Sequence, residues 1–314
     1  MAEDIHHRHD NMVHSVLRDP TEATSFLQAH LSQDVSQGLN WATLRLHDRS
    51  FVDEDLLESE SDFLYEIERV SGEESIMLYI LVEHQSTPDR WMRFRLLKYC
   101  CRIWDLNLAE RPTPSELRPI VPLVFYQGER SWSYSTEFAD LFVESVRDWP
   151  GTPRFSHGLI DQSGMRPEEV QGELKTRLMQ LLLMATYHPT VAWMEQVAGL
   201  LVSLSSLPPS GGVNYVRIFV RYILSTQEPE AAQTFREVLQ RTAPEVGDDL
   251  MTYAQELLAE GRAEGEQQGM IKTQVTIIEN LLRLGEEWAR IEEITGVNET
   301  QFETLKQQIE DMNE

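Results

Sequence analysis

Cysteine is scarce in this chain, and its only two cysteines, Cys100 and Cys101, are neighbours. Adjacent cysteines do not make a disulfide framework, which excludes a small secreted domain held together by bridges. Long apolar runs are also lacking. The longest, residues 178–185, is far shorter than the roughly 20 residues that a membrane-spanning helix needs. The first residues are polar and contain no apolar signal core, so we expect a cytoplasmic protein without a membrane segment.

Positive charge is in short supply. The chain has 27 lysines and arginines against 52 aspartates and glutamates, a net charge of −25. Such an excess disfavours binding of nucleic acid by the surface as a whole. The deficit is uneven, because one short run is basic and has only Asp89 beside it. That run contains Arg90, Arg93, Arg95, Lys98 and Arg102.

Two apolar segments separated by a polar turn predict an antiparallel hairpin centred near Glu73. In the first, Leu64, Ile67 and Val70 lie among charged residues. The second, residues 76–82, is almost wholly apolar, as in a strand buried on both faces. Reflection through the turn places Asp62 beside residues 83–85 of the second strand.

The predicted hairpin brings acidic side chains together at one end of the sheet. Glu83 and Gln85 share a face because strand side chains alternate, and Asp62 lies on the neighbouring strand. Two carboxylates at such close range repel each other unless something neutralises them. A divalent cation such as Mg²⁺, which prefers hard oxygen ligands, would do so.

Several further motifs accompany this cluster in the first 130 or so residues. In chain order they are His9-Asp10, Phe51-Val52-Asp53, Asp62 with Leu64-Tyr65, Val82-Glu83-His84-Gln85-Ser86, Met92 with Arg95-Leu96-Leu97-Lys98-Tyr99, and Pro122-Leu123-Val124-Phe125-Tyr126-Gln127-Gly128. Together they resemble the Rpn family of recombination-promoting nucleases, also called YhgA-like transposase-like proteins, within the PD-(D/E)XK nuclease superfamily. Gln85 stands where the wider superfamily usually has lysine.

The resemblance implies roles for individual residues. Asp62, Glu83 and Asp10 are the implied ligands of Mg²⁺ or Mn²⁺, and Gln85 joins Asp62 and Glu83 as a catalytic residue that orients the attacking water. Arg95 and Tyr99, with Arg93 and Lys98, are the implied contacts to DNA. Asp10 also has a purely structural alternative as the N-cap of a helix starting at Asn11.

The neighbouring histidines have two interpretations as well. His6, His7 and His9 form a cluster that invites a metal site, but a mobile and solvated terminus is the favoured interpretation. Further along, Trp91, Phe94, Leu97 and Cys101 or Trp104 predict the apolar stripe of a helix over residues 91–104.

From about residue 166 the pattern becomes helical. We expect three regions: a PD-(D/E)XK-like domain over 1–165, a helical accessory region over 166–260 and an acidic helical tail over 261–314. The tail's acidity disfavours direct contact with DNA, so we expect it to form homo-oligomers or to bind a partner. Asn298 and Gln301 resemble the cap of its last helix.

The sequence thus predicts an α/β fold: a restriction-endonuclease-like core, in which helices flank a mixed sheet, followed by helices. The predicted function is a metal-dependent DNA endonuclease, with bacterial roles in recombination, mobile elements or phage defence implied by the resemblance. The alternative is a nuclease-like module that binds DNA or protein with little catalysis, favoured by the missing lysine and the net charge.

Overall fold

The computed structural model describes residues 2–47, 63–71, 75–83, 88–110, 116–128, 130–185, 189–208, 215–227, 229–242 and 269–311. The chain forms two compact units, Met1–Asp249 and Leu250–Glu314. Each unit is described by itself.

The first unit begins with three helices, α1 (Ala2–Leu17), α2 (Pro20–His30) and α3 (Gln33–Gln37). The start of α2 follows from its sequence. Asp19 is the N-cap, and its side chain accepts a hydrogen bond from the Thr21 N–H at 2.9 Å. Pro20, at the first helical position, needs no N–H partner and has a backbone angle suited to a helix.

A mixed five-stranded sheet follows, with strands in the order β1-β2-β3-β4-β5. The strands are β1 (Leu39–Leu46), β2 (Phe63–Arg69), β3 (Ser75–Glu83), β4 (Ile120–Tyr126) and β5 (Gly158–Asp161). β1, β2 and β3 pair antiparallel, whereas β3, β4 and β5 pair parallel. The parallel step from β3 to β4 requires a crossover, which is made by helix α4 (Met92–Glu110). These elements confirm the predicted α/β class.

The β2–β3 hairpin exists, but its predicted register is wrong by three residues. Reflection through Glu73 would pair Phe63 with residue 83, whereas Phe63 pairs with Ile80. The reason is that β2 continues to Arg69 and β3 begins at Ser75, so the ladder is centred nearer to the start of the polar turn. A polar turn leaves its own centre undefined, and each residue of displacement shifts the pairing by two.

Helices cover both faces of the sheet. On one face, α1 and α2 pack against Tyr65 and Phe125: the Tyr65 hydroxyl donates to the Leu17 carbonyl at 2.5 Å, and the Phe26 and Phe125 rings are 5.0 Å apart. On the other face, α4 packs on the sheet. This second cluster consists of Leu64, Met92, Leu96, Tyr99, Ile103, Val124 and Tyr126.

The buried stripe of α4 is therefore not the predicted one. Met92, Leu96, Tyr99 and Ile103 face the sheet, while Trp91 and Phe94 are 56% and 49% exposed. Both stripes have helical spacing, so periodicity alone could not choose between them.

The described part of the first unit also contains four later helices: α5 (Leu174–Ala185), α6 (Val191–Ser205), α7 (Tyr215–Thr226) and α8 (Pro229–Thr242). They pack against the N-terminal helices. The Lys175 ammonium lies 3.1 Å from a Glu22 carboxylate oxygen and 4.1 Å from the centre of the Tyr215 ring. Burial raises the pKa of Glu22, and the hydrogen bond from Lys175 opposes that rise. Domain boundaries after residues 165 and 260 remain predictions.

The second unit contains α9 over residues 269–283, α10 (Trp288–Thr295) and α11 (Glu299–Asp311). Its core consists of Val275, Ile278, Ile291, Val297 and Phe302. The predicted cap is confirmed, because Asn298 and Gln301 exchange two hydrogen bonds of 3.0 Å between side chain and backbone. Within the described ranges, no helix combines the length and the apolar character needed to cross a lipid bilayer.

Candidate active site at the carboxyl ends of the parallel strands

Three strands end at the same edge of the sheet. Glu83, the last residue of β3, pairs with Tyr126 at the end of β4, and Tyr126 pairs with Asp161 at the end of β5. β2 is antiparallel to β3, so β2 begins at this edge, with Phe63 opposite Ile80. The edge is thus the place where the carboxyl ends of parallel strands meet, a common location for ligand sites in α/β sheets.

Helix α1 carries Asp10 towards the same edge. The ring of His14 lies 5.1 Å from that of Phe63, and one turn later Leu17 accepts the hydrogen bond from Tyr65. α1 and β2 therefore run in the same direction. Asp10, one turn before His14 and on its face of the helix, lies towards the beginning of β2.

The structural alternative for Asp10 is wrong. α1 begins at Ala2, so Asp10 lies in the middle of a helix rather than at its N-cap. Asp10 is buried, with 4% of its surface exposed. His9 is buried as well, and its Nδ1 lies 2.5 Å from the Tyr222 hydroxyl. The expectation of a solvated terminus is therefore wrong for His9, which packs from α1 against α7.

Gln127 is a polar residue at this edge to which the sequence analysis assigned no role. It follows the last residue of β4 and is 5% exposed, and its amide nitrogen donates no hydrogen bond to any residue that the structure describes. A buried amide donor without a partner is costly, which is a common sign of a position meant to meet a ligand or water. The available signal was its place directly after a fully apolar strand.

Glycine is required at the next position. A Cβ on Gly128 would lie 1.9 Å from the Tyr126 hydroxyl oxygen, because the tyrosine ring lies across the glycine. The same hydroxyl donates to the Arg130 carbonyl at 2.7 Å, and the Tyr126 ring packs at 5.1 Å from that of Trp132. The Tyr-Gln-Gly motif is thus a closely packed strand end that fixes the backbone on either side of Gln127.

Asp161 has a structural task at this edge. One carboxylate oxygen accepts from the Trp132 N–H at 2.9 Å, and the other accepts from the N–H and hydroxyl of Ser163 at 3.0 and 2.6 Å. The Gln162 N–H donates to the Tyr126 carbonyl at 3.0 Å. Asp161 therefore ties the loop after β5 to the loop after β4.

The predicted metal site is described only in part. Glu83 is placed by its backbone at the end of β3, and Asp10 lies in α1. Asp62 and Gln85 fall outside the described residues. Among the residues that are described, no three histidine, cysteine or acidic side chains are grouped closely enough to hold a metal ion. The roles of Asp62, Glu83, Gln85 and Asp10 stay predictions.

The residues predicted to contact DNA lie on different sides of α4. Lys98 is exposed, and the Arg95 guanidinium lies 3.6 Å from Asp89. Tyr99 is 2% exposed and belongs to the core under α4. The Arg93 guanidinium points inward and donates to the backbone carbonyls of Glu137 and Arg90 at 3.0 and 3.3 Å. Arg93 and Tyr99 thus have structural surroundings, and their predicted contacts to DNA remain predictions.

The cysteines lie on the same helix. Cys100 is buried and Cys101 exposed, and both are free thiols. Burial, and to a lesser extent the neighbouring Cys101, raise the pKa of Cys100 to about 12. The thiol of Cys100 is therefore protonated at neutral pH, as expected for a packing residue rather than a nucleophile.

The first unit is an α/β domain with buried polar side chains at the carboxyl ends of its parallel strands, where proteins of this class commonly bind ligands. Sequence comparison specifies the family. Residues 7–209 match the family model described as "Putative transposase, YhgA-like". The chain belongs to this family.

Relatives with curated names extend the likeness over most of the chain. The recombination-promoting nuclease RpnA of Escherichia coli strain K12 is 30% identical over 308 residues, which cover 95% of this chain and 97% of that protein. RpnD of Escherichia coli O157:H7, also named a recombination-promoting nuclease, is 28% identical over 79% of this chain and 93% of its own. RpnE of strain K12, named an inactive recombination-promoting nuclease-like protein, is 27% identical over 88% of this chain and 90% of RpnE. No solved structure matches the chain.

Proposed function

We propose that this chain is an endonuclease that hydrolyses phosphodiester bonds of DNA at the carboxyl edge of its sheet, in a site of the PD-(D/E)XK type. The observation that carries the proposal is convergence. α1 brings Asp10 towards the start of β2, and the register of β2, β3 and β4 places the end of β3, at Glu83, beside the same edge. Likeness to proteins named recombination-promoting nucleases supports DNA as the substrate.

The chemistry of the donors fits a divalent cation. Asp62, Glu83 and Asp10 would hold Mg²⁺ or Mn²⁺ through carboxylate oxygens, the ligands that both hard cations prefer. Asp10 is buried, and buried carboxylates are commonly paired or coordinate metals. When bound, the cation would supply a water of lowered pKa and neutralise charge on the phosphate.

The protein's own groups would position the substrate. Gln85 would orient the attacking water by hydrogen bonding. The amide of Gln127, which has no partner among the described residues, would donate to a phosphate oxygen or water at the same edge. Lys98 and Arg95 would attract the DNA backbone, while Tyr99 and Arg93 would hold α4 in place through their buried contacts.

The second candidate is a nuclease-like module that binds DNA or protein without useful catalysis. Two observations favour it: Gln85 cannot supply the positive charge of a lysine, and RpnE, a relative of similar identity, is named inactive. A role in recombination, rather than in mobile elements or phage defence, is the one that the relatives' names support.

Cleavage of plasmid and linear DNA separates the two candidates. We expect the wild-type protein to cut in Mg²⁺ or Mn²⁺ and not in EDTA. Loss of a metal ligand removes several kcal/mol of transition-state stabilisation. Asp62→Ala and Glu83→Ala are therefore expected to cut at least about 100-fold more slowly than the wild type. Glu68→Ala, which replaces an exposed acid on β2, is the matched control and is expected to cut normally.

Two results would contradict the proposed endonuclease activity. One is cutting that survives both site substitutions, since that would identify a contaminating nuclease. The other is DNA binding by the wild type with no cutting in any metal, which would favour the binding module.

A further inference from the structure

We propose that the exposed face of α4 and the two residues before it form a stacking surface for unpaired DNA bases, which makes a DNA strand with unpaired bases the preferred substrate class. This inference rests on the proposed nuclease function and extends it. The surface consists of Arg90, Trp91, Phe94 and Lys98, and it is called the stacking face below.

The two aromatic rings are exposed despite their size. Trp91 is 56% exposed and Phe94 is 49% exposed. The first turn fixes their backbones, because the N–H of Phe94 donates to the Trp91 carbonyl at 2.8 Å. The helix does not need these rings for its core, since Met92, Leu96, Tyr99 and Ile103 already fill the face towards the sheet.

The rings and a cation share one face of the helix. Trp91, Phe94 and Lys98 occupy positions i, i+3 and i+7, which lie in line along the helix. With a rise of 1.5 Å per residue, Trp91 and Phe94 are separated by about 4.5 Å along the axis. Two flat side chains one turn apart present consecutive apolar platforms, the feature by which proteins bind single strands without reading their sequence.

Charge specifies a polyanion as the occupant. The Arg90 guanidinium lies 5.6 Å from the centre of the Trp91 ring, and Lys98 is exposed on the next turn. Asp89, the acid beside them, is already engaged: its carboxylate accepts from the Trp91 N–H at 2.7 Å and lies 3.6 Å from Arg95. In a chain of net charge −25, this is a locally cationic surface with aromatic rings.

Base stacking distinguishes the type of nucleic acid. A duplex offers phosphates to Arg90 and Lys98 but hides the faces of its bases, so Trp91 and Phe94 would stay unused. A strand with unpaired bases offers both phosphates and flat apolar faces. The combination of rings and cations on one face therefore fits single-stranded DNA better than duplex DNA.

The stacking face also lies at the correct end of the sheet. The crossover from β3 to β4 makes α4 run antiparallel to the strands. In agreement with this, the Trp104 indole, in the later part of α4, donates to the carbonyl of Arg118 just before β4 at 2.8 Å. The start of α4, with Trp91 and Phe94, is thus at the carboxyl edge that holds Glu83. A strand stacked there would lead directly to the candidate active site.

The test is fluorescence anisotropy with a labelled single-stranded oligonucleotide and with the duplex of the same sequence, both in EDTA to prevent cutting. Stacking on an aromatic ring contributes 1–3 kcal/mol per base, so Trp91→Ala and Phe94→Ala should each weaken binding of the single strand by about 5-fold to about 150-fold. Binding of the duplex, which depends on phosphate contacts, should change by less than about 2-fold.

Three further variants make the result interpretable. Trp91→Phe keeps a flat ring and should retain most of the affinity. Trp149→Ala removes a 63% exposed ring from another segment and should have no effect. Lys98→Gln should weaken binding of single strand and duplex alike and reduce the dependence on salt.

The proposal is overturned if the wild type does not prefer the single strand, if Trp91→Ala and Phe94→Ala leave its affinity unchanged, or if Trp149→Ala has an equal effect. Failure of the nuclease function gives a different result. In that case single-stranded binding would still fall in the two ring variants, while no form of the protein would cut DNA. Normal cutting with unaffected binding would refute the stacking face alone.

Discussion

Replacement of Glu66 by glutamine should destabilise the first unit strongly, because two arginines and a histidine surround this one carboxylate. Glu66 lies in the middle of β2, and its side chain is 7% exposed. Its oxygens lie 2.9 Å from Arg45, 3.0 Å from His47 and 3.1 Å from Arg118. Glu66 therefore links β2 to β1 through Arg45, to the residue after β1 through His47, and to the segment before β4 through Arg118.

The magnitude follows from which partner is buried. Arg45 is 69% exposed, so water screens its charge and its pairing contributes little, about 0–1 kcal/mol. Arg118 is only 12% exposed, and Glu66→Gln would remove the negative charge that lies 3.1 Å from its guanidinium. Removal of one partner from such a pair costs about 3–5 kcal/mol, and the remaining amide oxygen places this variant near the lower value.

Thermal unfolding monitored by circular dichroism is the assay. In a unit of this size 1 kcal/mol shifts Tm by about 2–4 °C, so the loss of about 3 kcal/mol should lower Tm by about 6–12 °C. Arg45→Ala is the matched control, expected within about 2–4 °C of the wild type. A Glu66→Gln variant that unfolds within the range of this control would refute the reasoning that the buried pair with Arg118 dominates.

Two other predictions concern packing and pH. Gly128→Ala should destabilise the protein by about 1–3 kcal/mol in urea unfolding, because the Cβ collides with the Tyr126 ring, whereas Gly151→Ala, which meets nothing within 4 Å, should be nearly neutral; equal effects would contradict the packing described. Burial lowers the pKa of His30 and of His157. Below the ordinary histidine pKa of about 6.5, these two side chains therefore bind protons more readily in the unfolded chain than in the folded protein. The contribution of these two histidines to stability should therefore be intact above about pH 6.5 and decline as the pH falls below it, and Tm measured against pH should decline less steeply in His30→Gln; an equally steep decline would contradict this assignment.

Some elements follow directly from local sequence patterns. The Asp19 cap and Pro20 set the start of α2, and the apolar run over residues 120–126 forms β4. Asn298 and Gln301 capped the last helix as expected, since all atoms of a capping box lie within one turn.

Features that depend on distant parts of the chain were harder to predict. The hairpin register was wrong because the turn is polar throughout and its centre is decided by how far β2 and β3 pair with their neighbours. The prediction of which stripe of α4 is buried was wrong, because Trp91 and Phe94 match the helical period as well as Met92 and Leu96 do. Only the sheet beneath α4 decides which stripe is covered.

Pro122 shows the same dependence on context. Proline in a sheet is usually confined to an edge strand or to the first residue of a strand, yet β4, which contains Pro122, lies between β3 and β5. Pro122 pairs with Tyr79 of β3, while pairing with β5 begins one residue later at Leu123. The proline thus occupies the part of β4 that has a neighbour on one side, and it leaves the rest of the ladder intact.

The location of the candidate site was easier to predict from the sequence than the residues that form it. Strand alternation and the end of an apolar run were enough to select Glu83, and Asp10 followed from the family resemblance. Gln127 was missed because a single glutamine after a strand has no distinctive spacing. Its burial and its unused amide donor become visible only when the loops around Tyr126 and Asp161 are in place.

Binding of Mn²⁺, followed by the loss of the free-ion signal in electron paramagnetic resonance, tests for the metal site without depending on which DNA sequence is cut. We expect saturable binding by the wild type. We expect Asp62→Asn and Glu83→Gln to bind Mn²⁺ at least about 10- to 100-fold more weakly, since changes in the outer shell of a metal site already cost that much. Glu68→Gln should bind normally. Equal affinity in all four proteins, or no binding by the wild type, would contradict a metal site at this edge of the sheet.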